Sequence, residues 1–231
     1  MQIYLAELFG TFLFMYIGLS INANMILPQT KGSRDGVWLT TSLGWGLAIL
    51  LPIMAFGSIS GAHFNPAVSL VFFILGEINF VSFLIYTVMQ NIGAFIAATF
   101  VIYKFGDHFK LADDETSISV FGTGPSIKNY HRNFFSEFIG TFILMFFILT
   151  VASGETYGAP FIAIAIISIG MGIGGKTGFA LNPARDFGPR LAYAICTRKN
   201  SNWHYAWVPL TAPMFGSAVA LGVYYFLFNG F

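Results

Sequence analysis

Two Asn-Pro-Ala triplets contain the residues whose types and spacing most directly suggest a chemistry. They comprise Asn65, Pro66, Ala67, Asn182, Pro183 and Ala184. Asn caps the first backbone N–H groups of a helix and Pro fits the first helical position, so each triplet predicts a helix start. A helix start carries about half a positive charge. Two starts aimed at one spot, with amide N–H donors exposed there, would admit neutral hydroxyl compounds and repel cations and protons.

The composition places these triplets in a membrane. The 231-residue chain is 56% hydrophobic and 9% charged, whereas soluble domains carry about 25% charged residues. This excludes a soluble enzyme and a disordered chain, and the net charge of +1 leaves no basic face for a nucleic acid. One cysteine and four scattered histidines exclude a disulfide framework and show no metal-binding spacing. We therefore expect no metal and no cofactor.

Runs without charged residues predict the membrane-spanning elements. Five of them suit one crossing each, namely residues 8–30, 78–103, 138–154, 156–175 and 200–231. The first 27 residues lack the features of a signal peptide and are predicted to form a retained first helix. Glu7 and Glu137 are expected within the first turns of the helices that they begin.

The run 36–76 is too long for one helix and is interpreted as a crossing at 37–56, a break at 57–66 and a short helix at 67–75. The second half has the same shape, with an apolar segment at 160–172, a break at 174–178 and a short helix from 182 towards 195. Non-helical backbone at membrane depth is tolerated where it lines protein or a water-filled cavity. Two matching breaks therefore predict two half-helices that meet at a pathway.

The chain also repeats itself. The segment 6–15 matches 136–145, where Glu, Gly, Thr, Phe and Met coincide, and the triplets recur 117 residues apart. Three crossings and a half-helix per half invert the two halves in the membrane. We predict an all-α membrane protein with six transmembrane helices and two re-entrant half-helices in an inverted 3+3 repeat. Residues 1–231 would form one channel domain, with repeats at about 1–104 and about 134–231 and a solvated connecting loop at about 105–133.

Four charged residues at membrane depth are candidates for function or support. Arg185 would line a constriction with its five donors and help to reject cations, or else snorkel to an interface. Asp186 is interpreted as the residue that holds Arg185 or a nearby loop. Glu7 and Glu137 would accept hydrogen bonds from the re-entrant loops, with a proton relay as the alternative. His63 would line the inner pore mouth or satisfy loop carbonyls.

The segments 60–68 and 177–190, which contain SGAHFNPAV and TGFALNPARDFGPR, resemble the major intrinsic protein (aquaporin) family, and more narrowly its glycerol facilitator branch. The resemblance covers essentially the whole chain. It implies an aromatic/arginine constriction formed by Trp45, Gly170, Phe179 and Arg185. Trp45 and Phe179 would offer apolar walls, Arg185 would donate, and Gly170 would leave one side without bulk. This wedge suits glycerol, whereas a water-selective member would carry His in place of Gly170.

The resemblance further implies a row of backbone carbonyls, a homotetramer with one pore per subunit, and a cytoplasmic N-terminus. The carbonyls belong to Gly61, Ala62, His63, Gly178, Phe179 and Ala180. The Lys and Arg residues of the connections fall on the other side of the membrane, so the positive-inside rule favours the opposite orientation.

We thus expect a multi-pass plasma-membrane channel, not an enzyme, that passes glycerol and other small uncharged solutes with some water and excludes ions and protons. Its partners would be these solutes and the lipid bilayer. The alternatives are a water-dominant pore, a channel for undissociated lactic acid, urea or dihydroxyacetone, and a proton-coupled transporter that uses Glu7 and Glu137.

Overall fold

The computed structural model describes residues 1–32, 36–151 and 158–228, and every regular element in these ranges is helical. In chain order they are α1 (Gln2–Ile26), α2 (Val37–Ser60), α3 (Pro66–Ile74), α4 (Phe80–Lys104), α5 (Gly106–Phe109), α6 (Asp114–Ser119), α7 (Tyr130–Val151), α8 (Gly158–Gly172), α9 (Pro183–Thr197) and α10 (Trp203–Phe228). A single 3-10 turn at Gly174–Lys176 precedes the second triplet.

Five helices, α1, α2, α4, α7 and α10, are long and apolar enough to cross a membrane. The described part of α8 adds a sixth apolar helix of 15 residues. By contrast, α3 has nine residues, which at about 1.5 Å per residue cover about half of a core about 30 Å thick. The protein is therefore a multi-pass membrane protein in which α3 enters without crossing.

The helix packing follows the inverted repeat. In the first half α1 packs against α2 and α4, and in the second half α7 packs in the same way against α8 and α10. Each half-helix packs on long helices of both halves, since α3 and α9 both contact α4 and α10, while α2 and α8 pack against each other. The predicted fold class is confirmed by this arrangement.

Glycines allow the closest helix crossings in both halves. A methyl group at Gly93 of α4 would overlap with the carbonyl oxygen of Leu8 in α1. Likewise, one at Gly216 of α10 would overlap with the carbonyl oxygen of Phe138 in α7. Small residues at such crossings let backbones approach closely, which is the main source of helix association in lipid.

Three expectations about the elements were wrong. Helix α2 continues to Ser60 instead of ending at residue 56, since Gly57 keeps its place in the hydrogen-bond ladder and its carbonyl accepts from Gly61 N. Gly lowers helix stability by only about 1 kcal/mol, less than an unsatisfied peptide group costs in lipid. Glu7 and Glu137 lie beyond the first turns of α1 and α7, which begin at Gln2 and Tyr130, because a buried carboxylate whose hydrogen bonds are satisfied can lie inside a helix instead of at its start.

The third correction concerns the connecting loop, which is not simply solvated. It contains α5 and α6, and residues 120–123, here named the return segment, then fold back into the protein. Val120 and Phe121 are fully buried there, and Phe121 stacks against Phe109 and lies against Tyr193. Their apolar side chains gain more from burial than from a surface position.

Replacing Gly216 by Val should destabilise the protein by at least about 2 kcal/mol, because the added side chain forces α10 away from the α7 backbone. The matched control is Gly222→Val on the same helix, where an added Cβ meets no atom within 4 Å. Thermal unfolding of the purified protein in detergent measures the difference. Equal midpoints for the two variants would contradict the packing argument.

Candidate transport pathway

The two breaks have the same backbone conformation. Each starts at a glycine with a left-handed φ. The next residue and the residue three positions after the glycine also have positive φ. The φ values are 81° at Gly61, 49° at Ala62 and 48° at Phe64 in the first break, and 89° at Gly178, 38° at Phe179 and 55° at Leu181 in the second. A left-handed φ costs a non-glycine residue about 1–2 kcal/mol. Each break must therefore be held in place by its surroundings.

A buried carboxylate holds each break. The Oε1 atom of Glu7 accepts hydrogen bonds from His63 N at 3.0 Å and from Ser60 Oγ at 2.7 Å. Its Oε2 atom accepts from Phe64 N at 2.8 Å and from Gln90 Nε2 at 2.8 Å. Both oxygens of Glu7 are thus occupied by donors of the protein itself.

Glu137 serves the second break in the same way. Its two oxygens accept from Ala180 N at 3.1 Å and Leu181 N at 3.0 Å. Ala180 and Leu181 lie 117 residues after His63 and Phe64, so the same two positions donate in both halves. The structure places both carboxylates against re-entrant N–H groups.

The Asn side chains of the triplets cap the half-helices and join them. Asn65 Oδ1 accepts from Ala67 N at 2.9 Å, and Asn182 Oδ1 accepts from Ala184 N at 2.9 Å. Asn65 Nδ2 donates to Leu181 O at 2.9 Å, while Asn182 Nδ2 donates to Phe64 O at 2.8 Å. An amide has two N–H bonds, so each Asn has one left for the cavity, fewer than the sequence suggests.

A narrow cavity of about 40 Å³ adjoins both Asn residues. Its apolar lining consists of Phe14, Trp45, Ile49, Leu144, Ile166, Phe179 and Leu181, and its polar groups come from Asn65, Asn182, Arg185 and the backbone at Ala180. A cavity needs at least about 10–15 Å³ of space to hold one water molecule, so this cavity has room for only a few water molecules at once. The cavity is therefore lined by both apolar side chains and hydrogen-bond donors.

Arg185 lies at this cavity and is almost fully buried. Its Nη1 donates to Phe121 O of the return segment at 2.9 Å, and its Cζ lies 4.3 Å from the centroid of the Trp45 ring. A guanidinium over an indole face is attracted by the ring quadrupole. Arg185 is thus held at depth and does not snorkel to an interface.

Asp186 holds a loop and not Arg185. Its Oδ1 accepts from Thr123 N at 2.7 Å and Thr123 Oγ1 at 2.8 Å, which anchors the return segment. It also forms a fully buried ion pair with Arg190. Arg190, which the sequence analysis missed, donates further to the carbonyls of Thr123, Ser201 and Asn202. The available signal was the spacing, since Asp186 and Arg190 lie one turn apart on α9.

Gly170 does not leave one side of the cavity empty, contrary to expectation. An added Cβ would lie 3.1 Å from Phe179 Cζ and 3.0 Å from Ser42 Oγ. The space that Gly170 leaves is thus filled by the Phe179 ring. Behind it, Trp38 donates from Nε1 to Gly170 O at 3.0 Å and packs edge-on against Phe179. Trp38 was not predicted as a site residue either, and its aromatic side chain is the one sequence feature that could have suggested it.

His63 does not line the cavity. Its buried ring lies against Phe72 and Tyr86, and Nδ1 is 3.1 Å from Ser69 Oγ and not bonded to a loop carbonyl, while a place at the inner pore mouth stays a prediction. Within the described ranges, no donor bonds the carbonyl oxygens of Gly61, Ala62, His63, Gly178, Phe179 or Ala180. Of these six residues, Phe179 and Ala180 lie at the cavity. No three His, Cys, Asp or Glu side chains in the same ranges come together as a metal site.

Replacing Glu137 by Gln should destabilise the protein by about 3 kcal/mol, because the new NH2 group would face an N–H donor of the second break. Glu77→Gln removes the same charge from an exposed site and is the matched control. Thermal midpoints in detergent measure both. An unchanged midpoint for Glu137→Gln would show that the carboxylate is not what holds the break.

Comparisons with known proteins agree with this geometry. The sequence model of the major intrinsic protein family matches residues 1–225. The chain is 37% identical over 235 residues to the probable glycerol uptake facilitator protein of Thermotoga maritima, covering 99% of this chain and 100% of that protein. It is 37% identical over 232 residues to the glycerol uptake facilitator protein of Bacillus subtilis, covering 97% of this chain and 84% of that protein. The X-ray structure of the aquaglyceroporin from Plasmodium falciparum matches with a TM-score of 0.87 and 32% identity, over 96% of this chain and 94% of the other. The chain belongs to the major intrinsic protein family.

Proposed function

We propose that this protein is a passive channel for glycerol and other small uncharged solutes, with some water permeation, and that it resides in the plasma membrane. The observation that carries the proposal is the mixed lining of the cavity, which the Trp45 and Phe179 rings share with the Arg185 guanidinium. The names of the Thermotoga, Bacillus and Plasmodium relatives support it.

The lining of the cavity suits glycerol, which has both a carbon backbone and hydroxyl groups, because it contains both aromatic rings and hydrogen-bond donors. Its carbon backbone would lie on the Trp45 and Phe179 rings, where apolar contact costs no hydrogen bond. Its hydroxyl groups would accept from Arg185, which has five N–H donors and uses one on Phe121 O. They would donate to the row of carbonyls in the two breaks. Each hydrogen bond to water is thus replaced by one to the protein.

The same groups would exclude ions. A cation that enters the cavity loses its water and meets the positive ends of α3 and α9 together with the charge of Arg185. No carboxylate is among the residues that line the cavity. Glu7 and Glu137 accept from the protein, which supports a structural role over a proton relay. We therefore favour a channel over a proton-coupled transporter.

The apolar lining also favours a polyol over a water-dominant pore. Lactic acid in its undissociated form, urea and dihydroxyacetone carry similar polar groups and remain alternative solutes. We further propose that residues 1–231 act as one channel domain, that four copies assemble, and that the N-terminus is cytoplasmic. Exposed leucines at every fourth position of α2 (Leu39, Leu43, Leu47 and Leu51) offer one face for lipid or for another copy.

Vesicles that contain the purified protein should equilibrate glycerol faster than protein-free vesicles, as measured by stopped-flow light scattering. The glycerol rate should rise linearly with its gradient and should not respond to a pH difference across the membrane, because a continuous pore needs no coupling ion. A saturable, pH-driven uptake would favour the transporter, and a rate equal to that of empty vesicles would contradict the channel.

Replacing Gly170 by His should lower glycerol permeability more than water permeability, because the imidazole must displace the Phe179 ring towards the cavity. The control is Gly172→His, also near the end of α8, where an added Cβ meets no atom within 4 Å. The ratio of the two permeabilities in the same vesicles is the measure. Equal losses of both would argue against Gly170 and Phe179 as determinants of solute size.

A further inference from the structure

One face of α1 forms a seat for the Trp45 ring. Phe14, Gly18 and Asn22 follow one another at intervals of four residues, so they lie in one row along the helix. Phe14 packs edge-on against Trp45 with 5.5 Å between ring centroids. A methyl group at Gly18 would overlap with the six-membered part of the indole. The ring thus lies in a notch in which every larger side chain at Gly18 would displace it.

Asn22 supplies the polar end of this seat. The side chain is buried, and its Oδ1 accepts from Trp45 Nε1 at 2.9 Å. Its Nδ2 donates to Val120 O in the return segment at 3.0 Å. Indole has a single polar atom, and a buried indole N–H requires an acceptor. Because Asn22 takes this N–H on the side of α1, Trp45 presents carbon atoms to the cavity.

The contacts of Asn22 link Trp45, the return segment and Arg185. Val120 precedes Phe121, whose carbonyl accepts from Arg185 Nη1. The guanidinium of Arg185 in turn lies over the Trp45 ring. Asn22 is therefore bonded both to the apolar wall and to the segment that holds the donor wall. A change at Asn22 reaches Trp45 directly and Arg185 through the return segment.

We propose that Asn22 is a positioning residue for solute selection: by binding the indole N–H and Val120 O, it fixes the orientation of Trp45 and the width of the constriction. The part of this inference that concerns glycerol rests on the proposed function. The orientation of the ring does not. Asn22 lies far from both triplets in the sequence, and neither triplet identifies it.

The test is the variant Asn22→Leu, which keeps the size of the side chain and removes both hydrogen bonds. The indole N–H then lacks its acceptor, and the cavity that Trp45 lines is a place where it can find one. The ring should turn towards the cavity and narrow it, so glycerol is hindered more than water. We expect the ratio of glycerol to water permeability to fall about fivefold, which corresponds to about 1 kcal/mol for one hydrogen bond.

Two controls separate positioning from general damage. Asn24→Leu makes the same change on α1 at a side chain that, among the described residues, donates only to Ser20 O, and it should leave the ratio unchanged. In a Trp45→Phe background, which has no indole N–H, Asn22→Leu should change the ratio much less than in the native chain. An equal change in both backgrounds, or an unchanged ratio in the native one, would overturn the proposal.

A second measurement does not depend on the solute. With Trp38, Trp203 and Trp207 replaced by Phe, the fluorescence reports Trp45 alone. Asn22→Leu should shift this emission to longer wavelength as the ring meets water, whereas Asn24→Leu should not. An unshifted emission would overturn the assigned role of Asn22. A native protein that does not conduct glycerol would refute the proposed function, while the emission still decides the role of Asn22.

Discussion

Backbone without helical structure in the middle of a membrane must find its hydrogen bonds within the protein, and the rest of this molecule depends on how that constraint is met. In each break a buried carboxylate, Glu7 or Glu137, accepts two consecutive N–H groups. The reciprocal Asn65 and Asn182 bonds then tie the breaks together. Since these N–H groups are taken, the backbone groups of the breaks without a partner in the described ranges include the carbonyl oxygens of residues 61–63 and 178–180. The geometry that stabilises the breaks is thus also the geometry that could replace the water of a solute.

The scaffold of the cavity is duplicated, but its constriction is not. Positions related by the repeat both line the cavity, as with Phe14 and Leu144, Ile49 and Ile166, and Asn65 and Asn182. The constriction breaks this symmetry: the counterparts of Trp45, Phe179 and Arg185, 117 residues away, are Ile162, Ala62 and Val68. These lack the indole, the phenyl ring and the charge. On the proposed function, selectivity would therefore come from these three residues and from the α1 row and return segment that hold them.

The sequence predicted the parts of the structure that follow from local rules. Proline and asparagine set the starts of α3 and α9, long apolar runs indicated the crossings, and the repeated motifs indicated the inversion. Contacts between segments that lie far apart in the sequence could not be predicted from it. Asn22 is one polar residue in an apolar helix, and only the fold brings it to Trp45 and Val120. The return segment was mistaken for a solvated loop because Gly122 and the polar residues around the segment hide two buried apolar residues. The end of α2 was misplaced because glycine and serine weaken a helix in water more than in a membrane.

Two arginines on α9, Arg185 and Arg190, have different electrostatic roles. Asp186, next to Arg185 in the chain, is neutralised by Arg190 in a fully buried ion pair. Within the described ranges no carboxylate forms an ion pair with Arg185, which is held by the Phe121 carbonyl and the Trp45 ring. A hydrogen bond to a charged group contributes about 1.5–3 kcal/mol and a desolvated cation–π contact about 2 kcal/mol. Neither cancels the positive charge. If Asp186 were not bound by Arg190, it would be the nearest counter-ion for Arg185 and would weaken the field at the cavity. The buried pair therefore does more than anchor a loop, because it leaves the charge at the constriction facing the solute.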